Sequence, residues 1–184
     1  MQARALHLPL SAATVLSLRA GEACRLSGTL LTARDAAHQR LADALRAGQP
    51  LPVALQDATL YYTGPTPARP GMVIGAAGPT TAYRMDPYTP ALLAAGVRAL
   101  IGKGARGPAV CAALQQYCAV YFAAIGGAGA FLHACIRACA VVAYADLGTE
   151  AIYRLTIADF PVIVAHDAQG GSVYATPAAA RTAC

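Results

Sequence analysis

The sequence predicts an α/β or α+β domain built on a mixed β-sheet with flanking helices, and three observations point there. Short apolar runs of strand length are interspersed with helical segments, the two kinds follow no regular βαβ period and show no internal repeat, and the C-terminal region reads as β-rich. A chain of 184 residues is expected to form one domain, residues 1–184, with a sizeable core.

Taken in order, residues 6–18 alternate weakly and read as strand, and residues 24–31 read as a second, with Gly21 and Gly28 as breaks. Thr32-Ala33-Arg34-Asp35 has the shape of a capping box. Ala36, Leu41, Ala44 and Leu45 then recur at helical spacing until Gly48 and Pro50 stop the helix. Residues 59–63 form a short strand ending in Gly64-Pro65. The proline-rich residues 65–70 are a loop, after which strand-like sequence resumes at Met72-Val73-Ile74. Residues 75–81 make a small-residue turn that is predicted to open a helix carrying Arg84 in its first turn and ending near Gly96. Residues 98–102 read as strand, 107–116 as helix, 118–125 as buried strand, 126–137 as helix and 140–145 as strand. Two more strands are expected at 152–157 and 162–165, with Gly170-Gly171 turning the chain into 172–175.

Composition bounds the function. Hydrophobic residues make up 57% of the chain and charged residues 12%, so part of the apolar surface is expected to face a protein partner. The apolar region 118–145 is interrupted by Gly126, Gly127 and Gly129 and carries His133 and Arg137, which is poor material for a spanning helix of about 20 apolar residues. The N-terminus lacks the layout of a secretory signal, so the cytoplasm is expected. The six cysteines include no C-x-x-C pair; most read as small core residues, and no metal site built from this chain alone is expected. The formal charge is +5, but the cations are scattered with no basic run, which argues against nucleic acid and leaves small anions. Of fourteen lysines and arginines only Lys103 is lysine, and it sits between Gly102 and Gly104. A compact ammonium kept in an arginine-biased chain is a candidate for a role that a planar guanidinium cannot fill.

Chemistry-bearing residues concentrate in two places. Gly78 to Thr81, as a glycine-opened helix start, would present free amides to a carboxylate, and Arg84 lies four residues beyond Thr80. Taken alone, an ordinary threonine cap with a solvated arginine explains this turn as well. Arg34 and His38 form a second four-apart pair, with Asp35 serving the cap and His38 on a half-exposed face. His166-Asp167 reads as strand end and turn, and without G-x-S-x-G a serine hydrolase is disfavoured; without G-x-x-x-x-G-K-[ST] or G-x-G-x-x-G, so is a nucleotide.

Several motifs in one order carry a resemblance. Thr32-Ala33-Arg34-Asp35-Ala36-Ala37-His38, Tyr62-Thr63-Gly64-Pro65, Gly75-Ala76-Ala77-Gly78-Pro79-Thr80-Thr81, Arg84-Met85-Asp86, Ile101-Gly102-Lys103-Gly104, Gly126-Gly127-Ala128 and Asp159-Phe160-Pro161 follow this pattern. Over roughly residues 20–175 the chain resembles the class I fumarase C-terminal domain and the L(+)-tartrate dehydratase beta subunit. The resemblance implies a swivelling β/β/α domain and a separate alpha subunit that holds a [4Fe–4S] cluster, giving a hetero-oligomer. It also implies that Arg34, Arg84 and Lys103 bind substrate carboxylates and that Thr80, ahead of Thr81, transfers the proton. Tyr83 stands where the family often has a smaller residue, and Gly126-Gly127-Ala128-Gly129 replaces a more usual alanine run.

The residue types suit that chemistry. Removing water from a dicarboxylate requires two carboxylates to be anchored, a hydroxyl to be polarised and a weakly acidic C–H proton to be taken. Arginines do the first through bidentate pairing. The expected function is therefore reversible hydration of fumarate to malate, with tartrate dehydration as the alternative within the family and a non-catalytic dicarboxylate-binding module as the alternative outside it.

Overall fold

A computed structural model describes residues 3–175. The chain runs through β1 (Arg4–His7), α1 (Ala12–Ser17), β2 (Ala23–Thr32), α2 (Asp35–Arg46) and β3 (Thr59–Tyr61). A long connection, with a 3-10 turn at Ala82–Met85, leads to α3 (Thr89–Ala94), β4 (Ala99–Gly102), α4 (Pro108–Gln116) and β5 (Val120–Ala123). Then come α5 (Gly129–Leu132), β6 (Ile136–Ala143) and β7 (Ile152–His166), with short 3-10 turns at His133–Cys135 and Ala145–Glu150.

The α/β class with a mixed sheet holds, but the missing βαβ period does not. Strands β2, β3, β4 and β5 are consecutive parallel neighbours, and each connection between them carries a helix. The regularity is hidden in sequence because β3 has three residues and its connection to α3 is long.

The sheet closes on itself. Cys24 of β2 pairs with Arg4 of β1 and with Val162 of β7, and Leu31 pairs with Leu60 of β3 and with Arg154 of β7. A strand has two edges, so β1 and β3 share one edge of β2 and β7 takes the other. By the same reasoning Ile163 of β7 pairs with Ala23 on one side and Ala123 of β5 on the other. The result is a ring, β2-β3-β4-β5-β7, with β1 and β6 as extensions. Residues alternate across its wall as the pleat requires. Tyr61, Ala99, Ile101, Val120 and Phe122 face one core cluster, while Leu60, Leu100 and Tyr121 face a second, where α2, α3 and α4 lay down Leu41, Leu92, Leu93, Val110 and Leu114. Tyr61 and Phe160 meet edge to face inside the first cluster, centroids 5.3 Å apart.

Several expectations need correction. The strand expected over residues 6–18 ends at His7, where Ser11 caps α1 by accepting the Thr14 amide at 3.1 Å. Thr32 is not a helix cap: it ends β2, and its hydroxyl accepts the Tyr153 amide at 2.9 Å and donates to the Ala151 carbonyl at 3.3 Å. The cap of α2 is tertiary, since Glu150 Oε2 accepts the Ala36 amide at 2.9 Å. Met72-Val73-Ile74 forms no strand. The helix expected over 126–137 shrinks to α5 and a 3-10 turn, because β6 begins at Ile136, which pairs with Ile157 of β7, and takes in Arg137 at a register shift. The two strands expected near the C-terminus are one, continuing through Asp159 at φ +52°. The turn at Gly170-Gly171 is held by Asp167 Oδ1, which accepts the amides of Gln169 and Gly171, and leads back to a bridge between His166 and Ser172.

Gly28 sits at the β2 register shift with φ +121°, and a Cβ there would lie 2.7 Å from the Leu8 carbonyl oxygen. Gly28→Ala therefore combines strain with a backbone clash and is expected to destabilise the fold by about 2 to 4 kcal/mol, read as a lower urea midpoint with unchanged slope.

Candidate functional site

Parallel strands deliver their carboxyl ends to one rim, the usual place for a ligand in an α/β sheet. Four connections lie there, after β2, β3, β4 and β5, and the first three carry the four side chains that the sequence singled out.

Arg34 lies two residues past β2 in extended backbone. Its guanidinium lies over Gly64, where a Cβ would approach Nη1 to 2.8 Å, so the glycine after β3 is what leaves it room. Nη2 stands 3.4 Å from Glu150 Oε1 and 3.6 Å from Asp35 Oδ2, too far for strong hydrogen bonds, and the buried Nε has no partner. Arg84, on the 3-10 turn, is half exposed and places its Nε 3.0 Å from Asp35 Oδ1. One carboxylate thus bridges two arginines.

Thr80 is not at a helix start. Its amide donates to the Tyr62 carbonyl at 2.6 Å, its carbonyl accepts the Lys103 amide at 3.2 Å, and Thr81 pairs with Lys103 as an isolated parallel bridge. The Ala82 amide is also taken, by the Lys103 carbonyl at 2.8 Å. The expected cradle of free helix amides is absent, because this segment extends the sheet instead. Both backbone groups of Thr80 are fixed, which leaves its hydroxyl a few defined rotamers. Lys103 follows β4 and is half buried, and its stem packs by Gly126, where a Cβ would sit 3.3 Å from Cδ. Among the described residues no carboxylate lies within 4.0 Å of its ammonium. Arg34 and Arg84 are joined through Asp35, and Thr80 and Lys103 through the backbone. Counting Asp35 and Glu150 against Arg34, Arg84 and Lys103, the rim carries a net charge of +1.

Beneath lies a layer that sequence reasoning missed. The fully buried Arg106 side chain donates from Nε to Asp86 Oδ1 at 2.7 Å, from Nη2 to the Thr89 hydroxyl at 2.8 Å and from Nη1 to the Tyr62 hydroxyl at 3.2 Å. Its carbon Cζ lies 5.3 Å and 5.0 Å from the ring centroids of Tyr62 and Tyr121. Asp86 Oδ2 also accepts the Gly107 amide at 2.7 Å, which ties the Lys103 loop to the turn that carries Arg84. Asp86 lies inside one of the family motifs; nothing in the sequence marks Arg106. His38 is not half exposed but fully buried, donating from Nδ1 to the Arg34 carbonyl at 2.9 Å with its ring edge-on to Tyr62. Burial, with the Arg106 charge adding to it, pushes its pKa down to about 4, so the imidazole is neutral.

Among the described residues no three His, Cys, Asp or Glu side chains converge in a way that would hold a metal ion. Cys24 is buried beside β1, Cys111 faces His166 across 3.6 Å, Cys118 follows α4, Cys135 ends a 3-10 turn and Cys139 lies in β6. No described helix is long and apolar enough to cross a membrane.

A family model described as Fumarase C-terminus matches residues 2–177. Fumarate hydratase 1, mitochondrial, of Leishmania major is 36% identical over 151 residues, which is 81% of this chain and 28% of that protein. The anaerobic class I fumarate hydratase of Escherichia coli strain K12 matches with the same identity and coverage. A Methanocaldococcus jannaschii protein with the provisional name L(+)-tartrate dehydratase subunit beta is 32% identical over 166 residues, 87% of this chain and 85% of that protein. The chain thus spans 28% of the length of these fumarate hydratases and most of that beta subunit.

The neutral His38 sets a pH dependence. Its folded pKa of about 4 is below the ordinary 6.5, so the unfolded chain binds the extra proton first, and stability present above pH 6.5 is lost as pH falls toward 4. The loss from this group amounts to roughly 3 kcal/mol by pH 4. His166, also lowered by burial, adds in the same direction. In urea unfolding at pH 7.5 and 4.5, His38→Phe is expected to show a smaller acid loss than the parent chain.

Proposed function

This chain belongs to the Fumarase C-terminus family, and from that premise we propose that it is the cluster-free beta part of a hydro-lyase that interconverts fumarate and malate. The observation that supports this best is the rim itself, where two arginines bracket one carboxylate while backbone hydrogen bonding locks the Thr80 segment, after β3, to Lys103, after β4.

In the proposal Arg34 and Arg84 bind the substrate's carboxylates and Lys103 adds a compact positive charge. In the dehydration direction Thr80 Oγ1 relays the proton from the carbon beside one carboxylate, passing its own hydroxyl proton to a carboxylate of the partner as it accepts the one from carbon, and the negative charge that develops on the substrate is held by the surrounding cations. A threonine hydroxyl is a weak base. The surrounding cations disfavour a protonated hydroxyl, so the partner's carboxylate is the final acceptor of the proton. The alpha partner is proposed to carry the [4Fe–4S] cluster and to polarise the hydroxyl that leaves, and the assembly is proposed to work in the cytoplasm as a hetero-oligomer with a small dicarboxylate substrate.

One observation favours a second reading. The relative that matches this chain over most of both lengths carries a tartrate dehydratase beta-subunit name, while the fumarate hydratases extend well beyond the match. Malate and L(+)-tartrate differ by one hydroxyl, so both readings use the same anchors.

Anaerobic co-production with a cluster-bearing alpha chain is expected to give hydratase activity on one of these substrates. Arg84→Ala and Lys103→Ala should each lower kcat/KM by about 10²-fold or more, and Thr80→Ala should act mainly on kcat. Activity like the parent's in any of the three removes that residue from the site. Dicarboxylate binding without turnover in the assembly leaves the binding-module reading.

A further inference from the structure

The carboxylate between the two arginines asks for an explanation, because a site built to bind anions places an anion of its own at the centre. Asp35 Oδ1 takes Arg84 by Nε at 3.0 Å, which leaves the Nη1/Nη2 end of that guanidinium for another acceptor. Its other oxygen, Oδ2, is buried, makes no hydrogen bond, and stands 3.6 Å from Arg34 Nη2. Arg34 is equally underused. Glu150 approaches it no closer than 3.4 Å, and its buried Nε is unpaired. Both guanidinium groups are therefore held by charge but not saturated with hydrogen bonds. An unpaired buried donor costs about 1 to 3 kcal/mol, and an incoming carboxylate recovers it.

We infer that Asp35 is a positioning residue, one carboxylate that aims Arg34 and Arg84 at the same dicarboxylate without consuming their hydrogen bonds. Without it, Arg34 would keep only the distant Glu150 and Arg84 would lose its one carboxylate partner among the described residues. Arg84, half exposed on a short turn, would then swing toward water. The position suits this role, since Asp35 is in the first turn of α2, beside Arg34 in sequence and across from the 3-10 turn in space, so one short, stiff side chain reaches both. The inference deepens the dicarboxylate reading and rests on it.

Steady-state kinetics of the assembled enzyme tests it, with Asp35→Asn and Asp35→Glu compared to the parent and each variant's thermal unfolding recorded. Asp35→Asn keeps the shape and removes the charge; it is expected to raise KM by about tenfold or more while kcat changes less than about threefold. Asp35→Glu is expected to recover part of that loss, which a merely structural role would not produce. Should Asp35→Asn not fold, Asp35→Glu alone carries the test through a KM raised about threefold or more. An unchanged KM overturns the inference. A lowered KM also overturns it, by showing that Asp35 competes with substrate. Inactivity of the parent assembly removes the dicarboxylate reading and this inference together, whereas an active parent with kinetically silent Asp35 variants removes this inference alone.

Discussion

Closure of the sheet by β7 is the constraint on which the rest depends. Its antiparallel pairing with β2 along one edge and with β5 along the other turns an open parallel run into a ring. Closure fixes the tilt and stagger of β2, β3, β4 and β5 relative to one another, and so fixes the heights at which their carboxyl ends stop. Arg34, Gly64, Lys103 and Gly126 belong to four different connections, and Arg34 packs by Gly64 and Lys103 by Gly126 because those heights agree. No local interaction among the four would achieve this, since they are loop residues with little secondary structure of their own.

Below the rim, charge is arranged in two layers that behave differently. The lower layer is closed: Arg106 is buried, paired with Asp86 and spread over Tyr62, Thr89 and the face of Tyr121, so each of its three guanidinium nitrogens donates a hydrogen bond. Breaking such a buried pair leaves an uncompensated charge, which makes it a firm tie between the Lys103 loop and the turn of Arg84. The upper layer is open, with long ion pairs and unpaired donors at Arg34. A rigid base under an unsaturated surface is the arrangement expected where an anion is to be bound with little reorganisation.

Much of this is legible in the sequence, and the limits have physical causes. Strands at 24–31 and 98–102 and the helix at 107–116 can be read because apolar runs between glycines and prolines carry their own signal. The motif residues Arg34, Thr80, Arg84 and Lys103 lie on the connections that follow β2, β3 and β4. What fails is whatever a distant partner decides. Thr32 reads as a cap until β7 claims its hydroxyl, and Thr80 reads as a helix start until Tyr62 and Lys103 claim its backbone. His38 reads as half exposed until Tyr62 covers it. Arg106 is one more arginine in a loop until Asp86 and Tyr62 bury it, and burial of a charge leaves no trace in local pattern.

The ring also sets the order of events as the chain folds. Ala23 and Ile163 are register partners 140 positions apart, so the seam joins early and late segments with nearly the whole described chain as the loop between them. Closing so large a loop costs entropy before it returns any contact, and chains dominated by such distant pairings fold slowly. While a nascent chain still lacks residues 152–166, β2 has one edge unpaired and Arg34, Thr80 and Lys103 have no finished rim to share. During that interval the bare edge of β2 is a template for a foreign strand, so the seam that aligns the four connections also exposes the half-made protein to misassociation.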